Sequence, residues 1–148
     1  YRHIEWPVVV MLGAMIPIGG ALTTSGLTVS IAEYLSSSFL ETNVMWLLLV
    51  ILVFTMLISD LVNNAATAVI MAPLSVSVAT QLNQPIEPFL MVVAVGASCA
   101  FLSPIGHQCN TLVMGPGNYR FGDYWRLGLP LEILIVVVSI PVIMVTWF

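Results

Sequence analysis

Two short stretches of this sequence carry nearly all the groups that could do chemistry. The first, residues 59–67, holds Ser59, Asp60, Asn63, Asn64 and Thr67 among small neighbours. The second, residues 103–111, reads Ser-Pro-Ile-Gly-His-Gln-Cys-Asn-Thr. An asparagine amide offers both a donor and an acceptor, so it can serve an anion or ligate a hard cation. Small residues such as Ala65, Ala66 and Gly106 would let a ligand approach the backbone. A helix interrupted at such a point exposes N–H groups that suit an anion and C=O groups that suit a cation. The same residues also fit an ordinary extramembrane turn, with Asn63-Asn64 closing a helical hairpin. Asp60 reads as a helix-end residue as readily as a coupling site, and His107 as a satisfied polar group as readily as a ligand.

The elements around these stretches are strongly apolar. Hydrophobic residues make up 59% of the chain and charged residues 7%, against about 25% charged in soluble domains. There are three arginines and no lysine, so no basic patch supports nucleic-acid binding. A bilayer core of about 30 Å needs roughly 20 helical residues per crossing. The chain offers about four to five such segments, which is small for a transporter. It begins at Tyr1 without Met, lacks a signal-peptide pattern, and is read as a piece of a longer protein.

The expected fold is an all-α integral membrane domain over 1–148, with hydrophobic helices, a re-entrant helical hairpin and a broken helix. The first helix is placed at 1–36 and the hairpin at 42–82. The broken helix is placed at 88–117, its first arm stopping near Leu102, and the last helix at 127–148. Polar backbone at membrane depth is tolerated only where it is buried in protein or lines a cavity. Two interrupted helices meeting near the midplane are the usual build of a secondary-transporter site. Arg2, Arg120 and Arg126 fall on one side in this topology, which makes that side cytoplasmic.

Cys99 and Cys109 are too few and too far apart for a metal site and are read as free thiols. Asp60, His107 and Cys109 sit in no protease motif and are not paired by helix spacing, so the chain is read as no enzyme. Glu33 and Glu132 are placed near interfaces or against protein.

At the two polar breaks the sequence resembles the C-terminal half of the divalent-anion/sodium symporter family, within the ion transporter superfamily. The strings that carry the likeness are ISDLVNNAATAVIMAPLSVSVA and ASCAFLSPIGHQCNTLVMGPGNYRFGDYWRLGLPL. The opening IEWPVVVMLGAMIPIGGAL is similar to the helix that begins the family's second half. The resemblance implies two inverted repeats, of which this chain supplies the second, with an N-terminal repeat elsewhere. It implies sodium-coupled symport of a small inorganic or organic dianion in the cell membrane, multi-pass and of the bacterial inner-membrane kind. No cofactor is implied beyond Na+ as the coupling ion, and a homodimer is left open as an assembly.

Carried over residue by residue, the resemblance puts sodium at Ser59, Val62, Asn64 and Gly106, with Val62 and Gly106 acting through backbone carbonyls. It puts substrate at Asn63, Asn64, Ala65, His107 and Asn110. The departures are Asn63 for the family's Ser, Ala65 for its Thr, and His107-Gln108-Cys109 for Thr-Pro-Pro. Sodium ligation is thus better preserved than dicarboxylate recognition, and a sulfate-like substrate is favoured. The alternative within the superfamily is a cation/proton antiporter or an arsenite-type permease.

Overall fold

The computed structural model describes residues 17, 21, 24–26, 30, 43–62 and 64–148. The expected first helix and Asn63 therefore lie outside the described residues, nearly all of the former and the whole of the latter. Among the described residues the structure is helical with no strand. The helices are α1 (Val44–Leu61), α2 (Asn64–Gln81), α3 (Ile86–Ala97), α4 (Gln108–Met114) and α5 (Tyr124–Trp147), with a 3₁₀ turn at Phe121–Asp123 before α5.

The period of each apolar stripe explains the packing. On α1 the buried side chains are Leu47, Leu48, Ile51, Leu52, Thr55 and Met56, then Ser59 and Asp60. Pairs recurring every four residues make one continuous helix face. α3 answers with Phe89, Val92, Val93, Gly96 and Ala97, and packs against α1, α2 and α5. α2 adds Met71, Leu74, Val78 and Ala79 to the core. Thr55 Oγ1 donates to Ile51 O at 2.6 Å and Ser75 Oγ to Ala72 O at 2.9 Å. Their hydroxyls are thus satisfied within their own helices.

α5 is different. It buries Gly128, Glu132, Ile140 and Ile143 and exposes Leu127, Leu134, Val138 and Val145. α1 likewise turns Trp46, Phe54, Leu57 and Leu61 outward. These surfaces suit lipid or further protein. Val44–Leu61 and Phe121–Trp147 are long and apolar enough to cross a membrane.

The boundaries depart from expectation in two places. The first arm of the broken helix ends at Ala97, five residues before Leu102. The last turn tightens there, with Ser98 N–H donating to Val95 O and Cys99 N–H to Gly96 O, both at 3.1 Å and three residues back. The last helix starts at Tyr124 and runs through Pro130 and Pro141.

Candidate functional site

The hairpin tip grows out of the α1 stripe. Val62 leaves the helix with φ −122° and ψ 162°, its N–H still bonded to Ile58 O, and α2 resumes at Asn64. Helix thus continues to Leu61 and resumes by Asn64, so the break is much narrower than the polar run 59–67. Ser59 and Asp60 stay helical and continue the buried face that Leu47 and Leu48 begin. The apolar stripe thus delivers two polar side chains to the interior at the end of α1.

The second break, residues 98–107, is held by its own side chains. Ser103 Oγ accepts from Ile105 N–H and Gly106 N–H, both at 3.2 Å. The Asn110 amide donates to Ala100 O at 2.8 Å and Ser103 O at 3.1 Å. Thr111 Oγ1 donates to Pro104 O at 2.6 Å, and the Tyr124 hydroxyl to Asn110 O at 2.7 Å. His107 caps α4, its Nδ1 accepting from Cys109 N–H at 3.2 Å. A non-helical loop can persist here because these bonds satisfy much of its exposed backbone.

The two breaks meet. Ser59 Oγ lies 2.8 Å from Ala97 O and 3.0 Å from Asn64 Oδ1. Asp60 Oδ1 accepts from Leu102 N–H at 2.9 Å, and Asp60 O accepts from Ser103 Oγ at 2.7 Å. Gly106 packs onto the same turn. A Cβ there would stand 2.9 Å from Ser59 O, 3.1 Å from Asp60 Cα and 2.8 Å from the Ala100 methyl. Only glycine allows the loop to come this close to the helix end.

Chemically, the junction is rich in oxygen and poor in protons. Ser59 has one hydroxyl hydrogen and can donate to only one of its two acceptors at a time. Three oxygen atoms from three segments therefore converge with lone pairs to spare, which suits a hard cation. Among the described residues no group of three or more His, Cys, Asp or Glu side chains could hold a metal. Cys99 is buried and Cys109 exposed, both free.

The structure brings Ser59, Asn64 and Gly106 together. Val62 is exposed at the tip and Ala65 is half-buried. Asn110 is a loop clip whose two amide protons are both committed to carbonyls. His107 is half-buried, with Nδ1 engaged in the cap. Asn63 and the Gln108 side chain lie outside the described residues. A cleft of about 230 Å³ on the far side of Asn110, lined by Phe101, Tyr124, Leu127 and Leu131, is largely apolar and does not reach Ser59. Sequence reasoning left Asp60 open between a helix end and a coupling site, gave Ser103 no role, and missed the Ala97 carbonyl. Asp60 and Ser103 join the breaks, and the Asp60 role was legible from its place on the α1 stripe. The Ala97 carbonyl had no side-chain signal at all.

The family model described as citrate transporter matches residues 1–148. The chain belongs to that family. The likeness to divalent-anion/sodium symporters agrees with this at the level of the superfamily. An uncharacterized transporter of Synechocystis sp. is 37% identical over 147 residues, covering 99% of this chain and 24% of that protein. The sodium-dependent dicarboxylate transporter of Staphylococcus saprophyticus is 26% identical, covering 96% and 27%. Sodium/sulfate cotransporter 2 of Chlamydomonas reinhardtii is 27% identical, covering 93% and 16%. The chain thus spans about a quarter or less of the length of these relatives. The family and these relatives are transporters, which makes the chain part of a membrane protein.

Proposed function

We propose that the full-length transporter is a sodium-coupled symporter of a small dianion, and that the junction of the two breaks holds one coupling ion. The observation that carries this reading is the convergence of Ser59 Oγ, Asn64 Oδ1 and Ala97 O around a single hydroxyl proton. The backbone carbonyls of Val62 and Gly106 complete the ligand set. The hairpin enters and leaves the bilayer on one face. The matching site comes from an N-terminal inverted repeat in a multi-pass protein of the bacterial inner membrane. The names of the sodium/sulfate and sodium-dependent dicarboxylate relatives point the same way.

The substrate side consists of Asn63, Asn64, Ala65 and His107, with Asn110 holding the loop behind them. A compact tetrahedral anion such as sulfate fits this set better than a four-carbon dicarboxylate. Ala65 brings no hydroxyl, and the Asn110 amide has spent both protons on Ala100 O and Ser103 O. Capping leaves His107 only its Nε2 edge for an anion. A longer dicarboxylate needs two separated sets of donors.

Competition in proteoliposomes carrying the full-length transporter tests this. Unlabelled sulfate should displace labelled sulfate in a sodium gradient, and succinate and citrate should not. Displacement by succinate or citrate at lower concentration than sulfate would reject the substrate. Uptake independent of sodium would reject the coupling ion and favour the permease alternative.

A further inference from the structure

Glu132 lies one helical turn beyond Gly128 on α5. A Cβ on Gly128 would run into the Phe101 carbonyl, so the helix rests directly on the backbone of the second break. That close approach carries Glu132 to the end of α1. Its carboxyl group is within hydrogen-bonding reach of the Asp60 carboxyl. Both side chains are withdrawn from solvent, Asp60 at 5% and Glu132 at 8% exposure.

Their hydrogen bonds are incomplete in a particular way. Asp60 Oδ1 is taken by Leu102 N–H, and the Glu132 carboxyl has Phe101 N–H beside it. Asp60 Oδ2 and Glu132 Oε1 are buried with no donor. Among the described residues, the side-chain charge acting on each carboxyl is the other one. Glu132 also opens on a cleft between α1 and α5 of about 270 Å³, lined otherwise by apolar side chains such as Met56, Leu57, Leu102 and Val136. Two carboxyl groups facing each other in such surroundings cannot both stay bare and ionised: they share a proton or hold a cation between them.

We infer that Asp60 Oδ2 and Glu132 Oε1 form a second cation site, which takes one sodium ion and is separate from the one at Ser59 and Asn64. Hard oxygen donors suit an alkali cation. A divalent ion would demand more oxygens, or several retained waters that the apolar cleft does not favour. The site spans α5 and the hairpin, and Asp60 is also the residue to which the second break is fastened. Occupancy therefore stiffens the junction at which Ser59 sits, linking the two ions. The inference rests on the sodium-coupled reading above, but its residues are different and can be tested separately.

Equilibrium binding of radiolabelled sodium to the purified full-length transporter is the test. Glu132→Gln should lose one bound ion per protomer and retain the ion that Ser59→Ala removes. That retained ion shows that the variant is folded. Asp60→Asn keeps the acceptor for Leu102 N–H and should show the same loss, and it carries the test where Glu132→Gln does not fold. Unchanged sodium stoichiometry in Glu132→Gln, alongside a loss in Ser59→Ala, would overturn the inference and leave the Ser59 site standing. A loss in Glu132→Gln with none in Ser59→Ala would support it and remove the Ser59 assignment.

Discussion

The Ser103 hydroxyl donates to the Asp60 carbonyl at 2.7 Å while accepting from Ile105 N–H and Gly106 N–H at 3.2 Å. One oxygen atom thus fastens the loop of the broken helix to the last turn of α1 and shapes the turn that carries Gly106. Ser103→Ala removes the donor and leaves two loop N–H groups without their acceptor. Leaving a partly buried donor unmade costs about 1–3 kcal/mol. The full-length transporter should therefore melt at lower temperature and bind sodium more weakly. Thermal denaturation in detergent, with and without sodium, checks both, and an unchanged midpoint would refute the fastening role.

Gly106→Ala tests the close approach from the other side. The added methyl would meet backbone atoms of Ser59 and Asp60 and the Ala100 methyl at 2.8–3.1 Å. Overpacking of this kind costs about 1–3 kcal/mol. The loop relieves it by moving off α1, which would draw the proposed Gly106 carbonyl ligand away from the end of that helix. Half-saturation by sodium should rise about tenfold, equivalent to about 1.4 kcal/mol. A variant with wild-type sodium affinity would show that Gly106 does not take part.

The side of the membrane that Arg120 and Arg126 face is checked by single-cysteine labelling. Gly122 is the position to use, because a side chain there meets open space, whereas Asn118 has φ 51° and a substitution would be strained. Cys99 and Cys109 are both free thiols and must first be changed to Ser. Gly122→Cys should react with an impermeant reagent only after the cytoplasmic face is opened. Labelling in intact cells would invert the proposed topology.

Much of this fold is written in hydrophobic period. The α1 stripe from Leu47 to Asp60 recurs every four residues, and the hairpin and broken helix follow from where such stripes meet polar residues. Helix limits were less legible. Ser59, Asp60 and Thr67 look like break residues by type, yet they remain helical because neighbouring segments satisfy or bury them. Ala97 ends its helix under an apolar sequence, since the tightened last turn and the loop hydrogen bonds decide the point. The Ser59–Ala97 contact joins residues 38 apart through a main-chain oxygen, which no residue type announces. Glu132 was expected against protein or an interface. Its meeting with Asp60 depends on α5 resting on Phe101, a tertiary contact visible in sequence only as Gly128.

Sodium-dependent uptake by Asn64→Ala in proteoliposomes of the full-length transporter bears most directly on the central claim. The substitution removes Asn64 Oδ1 from its place 3.0 Å from Ser59 Oγ, and a methyl group cannot ligate a cation. The account predicts that sodium-driven accumulation of labelled sulfate is lost while the purified protein still folds. Retained sodium-driven uptake, with unchanged half-saturation for sodium, would contradict it.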